Sequence, residues 1–129
     1  MDKLYIPGDL VYFGGEKAKV WFRNPSADDS IYVRVIENGG ENRIWNASLK
    51  EEISPIPLTP EVLEKNGWKL SHGFYWSPNE EGAEVGLSSQ TGYVWNAYMK
   101  SYPLRSGINS VSDLQHLLFG LGHNSEIEV

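Results

Sequence analysis

Ile56-Pro57-Leu58-Thr59-Pro60-Glu61-Val62-Leu63-Glu64-Lys65-Asn66-Gly67-Trp68 is the joint of this chain. Pro57 fixes its own φ and biases Ile56 toward extended backbone, so the chain arrives here as a strand end. Thr59 is a good N-cap, and Pro60 suits the first helical position, where an amide would have had no partner inside the helix. Glu61 and Glu64 sit near the positive end of the helix dipole, and Asn66-Gly67 supplies the left-handed residue at which helices stop. The spacing predicts a helix of about two turns, too short to stand alone. It is expected to pack through Leu58, Val62 and Leu63, with Trp68 as an anchor beyond the stop. The runs before the joint have the period of strands, and those after it mix strands with one longer helix. The expected fold class is α+β.

Upstream, Asp9-Leu10-Val11-Tyr12-Phe13 is strand-like and Gly14-Gly15 is a turn. Lys17 to Arg23 alternates with period two, and Ile31 to Ile36 follows after a polar loop. Asn38-Gly39-Gly40 is a hairpin signal, with Arg43-Ile44-Trp45-Asn46 returning antiparallel and a fifth short piece at Glu52-Ile53. Four or five short strands joined by tight turns suggest a small curled sheet or SH3-like barrel. Strict alternation sends Ala18, Val20, Phe22, Ile31, Val33, Val35 and Ile44 to the core. The other face then gathers Lys17, Lys19, Trp21 and Arg23 with Tyr32, Arg34, Arg43 and Trp45. Aromatic rings can stack bases or grip a peptide, while Arg and Lys meet phosphate or carboxylate, so this face is a candidate contact surface. Cross-strand pairing within an ordinary sheet accounts for the same pattern.

Downstream, Trp68 to Trp76 reads as one strand, bent at Gly73. Ala83 to Leu87 and Tyr93 to Met99 complete a three-stranded antiparallel meander, and Ser101 to Gly107 reads as a loop. Ser110 with Asp113 three residues later resembles a capping box, and Val111, Leu114, Leu117, Leu118 and Leu121 form an apolar stripe that Gly122 ends. Ser112, Asp113 and His116 fall on the opposite, wet face. Phe119 lies outside the stripe, where a partner or loop would cover it. Glu126 to Val129 is expected to be a short end strand.

The chain has 129 residues and no cysteine, which removes disulfides, thiolate nucleophiles and cysteine-based zinc sites. One compact domain is expected, with lobes at 1–57 and 58–129. Residues 1–50 carry seven acids and seven bases, whereas residues 51–129 carry ten acids and four bases and hence the whole net charge of −6. That balance argues against non-specific nucleic-acid binding by the whole chain. No apolar run has the length of a signal peptide or membrane span, so a cytoplasmic location without membrane contact is the expectation. His72, His116 and His123 lack the spacing of helical zinc ligands, and the glycine pairs are hairpin turns, not phosphate loops. No metal, cofactor or catalytic constellation is expected.

Gly8-Asp9-Leu10-Val11-Tyr12, Ile53 through Glu61 with Leu63 through Trp68, and Val111 through Phe119 followed by Glu126-Ile127-Glu128 stand in an ordered series. Together they resemble uncharacterised small proteins common in gut bacteroidetes and their phages and mobile elements. The family pattern in the last helix has a histidine where this chain has Ser112. The resemblance implies an accessory protein with no catalytic residues to carry over. The leading expectation is a non-enzymatic accessory protein that binds a protein partner through Lys19, Trp21, Tyr32, Arg34, Arg43, Trp45 or the rim around Phe119, with self-association left open. A single-stranded nucleic-acid module stacking bases on Trp21, Tyr32 and Trp45 is the alternative. An acidic decoy imitating DNA is a third reading, resting on charge in the second half alone.

Overall fold

The computed structural model describes residues 5–23, 30–35, 44–48, 53–78, 82–100 and 102–129; side chains of 22–23, 30–31, 35 and 44–48 are outside that description. The fold is α+β, with two antiparallel five-stranded sheets and two helices among the described residues. The chain divides into two compact units, Met1–Ile56 and Pro57–Val129.

The first unit is all strand: β1 (Leu10–Phe13), β2 (Glu16–Arg23), β3 (Ser30–Val35), β4 (Ile44–Ser48) and β5 (Ile53–Pro55). β1 to β4 form a meander and β5 returns beside β1, giving the order β4-β3-β2-β1-β5. Among the described residues this is an open sheet with β4 and β5 at its edges, not a closed barrel. Its core gathers Tyr5, Val11, Ala18, Val20, Val33 and Ile53, with Phe13 packed against it. The strict alternation expected along β2 does not persist. The β2–β3 register shifts between Val20 and Phe22, so Val20 faces Val33 but Phe22 faces Tyr32, with Trp21 as the extra residue. The β3–β4 ladder sets Trp45 opposite Val33 and Ile44 opposite Arg34.

The second unit opens with α1 (Pro60–Lys65), capped as its sequence predicts: the Thr59 hydroxyl accepts from the Val62 amide at 3.4 Å. Gly67 takes φ +84°, and the Trp68 amide donates back to the Leu63 carbonyl at 3.0 Å, closing the helix end. Leu58, Leu63 and Trp68 are buried. The expected single strand from Trp68 to Trp76 is instead a hairpin, β6 (Lys69–Ser71) and β7 (Phe74–Trp76). His72 and Gly73, both at positive φ, make the tight turn between them, with His72 Nδ1 2.9 Å from the Ser71 hydroxyl.

β8 (Val85–Ser88) and β9 (Trp95–Met99) follow, and β10 (Tyr102–Ile108) occupies the stretch expected to be a loop. The meander therefore has five strands in chain order, not three. α2 (Val111–Gly120) starts at Ser110, whose hydroxyl accepts from the Asp113 amide at 3.2 Å. Ser112 and Asp113, expected on a wet face, are buried. The Ser112 hydroxyl lies 3.2 Å from that of Ser110, while Asp113 accepts from the Asn109 amide and pairs with Arg105 of β10 at 3.6 Å. Trp95 ties the joint to the sheet by donating its indole N–H to the Leu58 carbonyl at 2.9 Å. The expected end strand at 126–129 forms no ladder among the described residues. No described helix is long and apolar enough to cross a membrane.

Candidate nucleic-acid interface

A turn at the entrance to β1 builds one wall of a groove. Pro7 and Gly8 occupy its corner, with Gly8 at φ +94°, a conformation that glycine adopts without a Cβ penalty. The Asp9 amide donates to the Ile6 carbonyl at 3.1 Å, and the buried Asp9 carboxylate accepts from the Ile6 amide at 2.9 Å. Gly8 donates to the Val20 carbonyl at 2.9 Å and Val20 donates to the Asp9 carbonyl at 2.8 Å, which pins the turn beside β2.

Opposite that wall stand Lys19, Trp21 and Arg34. Lys19 and Arg34 face each other across the β2–β3 ladder, on the side away from Ala18, Val20 and Val33. Trp21 is the extra residue at the register shift, and the Arg34 guanidinium carbon lies over its ring, 4.2 Å from the centroid. A stacked guanidinium is held in a fixed orientation with its N–H groups directed outward from the ring edge. Together with Pro7, Gly8 and Val20 these three side chains enclose a groove of about 290 Å³. Trp21 remains 39% exposed and Lys19 is exposed. Among the described residues the Arg34 Nε is buried without a hydrogen-bond partner.

Of the seven contact residues read from the sequence, Lys19, Trp21 and Arg34 are brought together. Tyr32 is half-buried two residues before Arg34 and does not line the groove. Arg43 and the Trp45 side chain lie outside the described residues. Phe119 belongs to the second unit, 68% exposed near the end of α2. Pro7 and Gly8 were missed as groove residues, although Pro-Gly-Asp is a turn signal that could have marked the wall. Among the described residues no group of three His, Asp or Glu side chains is placed to hold a metal ion.

No family model matches the chain, and no solved structure matches it. DNA topoisomerase 1 of Mycolicibacterium smegmatis is 32% identical to it over an 83-residue alignment, covering 51% of this chain and 8% of that protein. The chain thus spans less than a tenth of the length of this curated relative.

Proposed function

We propose that the protein is a non-enzymatic accessory binding module whose groove takes single-stranded nucleic acid. One base stacks on the exposed face of Trp21, and the two phosphates flanking it meet Lys19 and Arg34. The Arg34–Trp21 stack at 4.2 Å carries this reading, because it unites an aromatic platform and a fixed cation in one groove. The partial similarity to a protein named for DNA supports a nucleic acid over a protein as the ligand. The strand order, a meander with its fifth strand returned beside the first, supports an SH3-like arrangement of the first unit.

The test is a fluorescence-anisotropy titration of a labelled thymidine dodecamer, followed in parallel by tryptophan quenching. Wild type is expected to bind at low salt. Trp21→Ala is expected to weaken binding about 5- to 150-fold, as loss of one base–aromatic stack of about 1–3 kcal/mol would. A flat titration at low salt, or a Trp21→Ala variant that binds like wild type, would sink the proposal.

A further inference from the structure

Asn66 ends α1, and its side chain does more than cap it. The amide nitrogen donates to the Val62 carbonyl at 2.7 Å and to the Glu128 carbonyl at 2.8 Å, while its oxygen accepts from the Glu128 amide at 2.7 Å. Both main-chain groups of one residue are thus read by a single side chain, the pairing a neighbouring strand would offer. The bond to Val62 lies within the helix end, so the amide is oriented independently of Glu128. Lys65 donates to the Val129 carbonyl and Gln115 to the Ser125 carbonyl, each at 3.2 Å. The bonds from all three side chains end on main-chain atoms, which recognises an extended backbone whatever its side chains.

Selectivity comes from the alternation. Ser125, Ile127 and Val129 are half-buried, and Glu126 and Glu128 are exposed. Ile127 borders a cavity of about 90 Å³ of mixed lining, with Trp68 and Leu118 on its apolar side and Asn66, His123 and Glu126 among its polar groups. The Gly122 turn at φ +74°, closed by the His123 amide donating to the Leu118 carbonyl at 2.9 Å, swings the segment into this place.

We propose that this clip is a peptide-binding site: Ser125–Val129 occupies it in cis, and an extended partner peptide with an apolar side chain at every second position takes the same place. The receptor is preorganised by Val62, and the cis segment acts as a tethered competitor at millimolar effective concentration. Glu128→Pro removes the amide that Asn66 accepts from and loosens the competitor, leaving the receptor intact.

The experiment titrates the full chain, wild type and Glu128→Pro, with the blocked peptide acetyl-Asn-Ser-Glu-Ile-Glu-Val-amide, reading amide and indole NMR shifts. Glu128→Pro is expected to bind at least about tenfold more tightly than wild type, with shifts at the Asn66 side-chain amide and the Trp68 indole. Methylating the peptide nitrogen of its second Glu deletes the same donor on the ligand and is expected to abolish those shifts without altering the protein. Saturating peptide that leaves Glu128→Pro unmoved would overturn the proposal, as would a methylated peptide that binds equally well. Global unfolding of Glu128→Pro would overturn it too, since the segment would then be a brace and not an exchangeable occupant.

Discussion

Gly86 has no turn to make, yet its missing side chain is required. A Cβ there would lie 2.8 Å from Cζ3 of Trp76, the residue it faces across the β7–β8 ladder. The indole lies over the backbone of β8, and a methyl group would force either ring or strand to move. Gly86→Ala is therefore expected to destabilise the fold by about 1–3 kcal/mol, the usual cost of overpacking, measurable as a lower urea midpoint with little change in slope. Tyr75 shows a different kind of residue effect. Removal of its ring from water raises the phenol above its ordinary 10.0, and the carboxylates of Glu64, which accepts its O–H at 3.2 Å, and Glu61 raise it further. The folded state then holds the phenolic proton more tightly than the unfolded chain does. Its stabilising contribution is whole below the unfolded value of about 10 and is lost as pH rises through the folded value. Melting temperatures recorded from neutral to alkaline pH should fall less for Tyr75→Phe than for wild type above about pH 10. Parallel curves would contradict the assignment.

At the scale of elements, the sequence was most legible where side chains signal to their own backbone. Thr59, Pro60, Ser110, Gly67 and Gly122 mark both helices because caps act within four residues. Ser110→Ala should cost about 0.5–2 kcal/mol, and more than an exposed Ser-to-Ala control, because it also strips the bond to the Ser112 hydroxyl. Legibility failed where pairing was decided at a distance. The β6–β7 turn uses His72 at φ +54°, and histidine carries no strong turn signal. His72→Asn is expected to stabilise by a few tenths of a kcal/mol in thermal melts, since Asn-Gly favours this hairpin turn. β10 escaped because Pro103 and Gly107 read as loop residues and most of its side chains are exposed, so no alternation betrays it; it is held by backbone pairing to β9 through two register shifts. The shift at Trp21 was equally silent, and it sets Phe22 opposite Tyr32 instead of continuing the register of Val20. Asp113 and Ser112 looked wet because helical spacing alone cannot reveal that Arg105 and Ser110 supply their partners.

For the whole molecule the question is how a chain of net charge −6 would hold a polyanion. The first fifty residues are neutral and the excess of acids lies beyond them, so no long-range field draws a strand inward. Binding must then come from the groove itself, where Lys19 and Arg34 are the two cations that line it among the described residues. Two phosphate contacts on a single strand release counterions with a slope of log K against log salt near −1.4, at about −0.7 per contact. A broad basic surface would give a far steeper dependence. Between about 50 and 200 mM salt, affinity should accordingly fall only about sevenfold. Lys19→Gln should weaken binding and reduce the slope by about 0.7, because it removes one phosphate contact. Trp21→Ala should weaken binding at every salt concentration by a similar factor and leave the slope unchanged, because stacking releases no counterions. The contrast between these two variants separates a groove that stacks a base beside a phosphate from a surface that merely attracts charge. Equal slopes for wild type and Lys19→Gln would show that the lysine meets no phosphate, and the groove would then lose its claim to a nucleic-acid ligand.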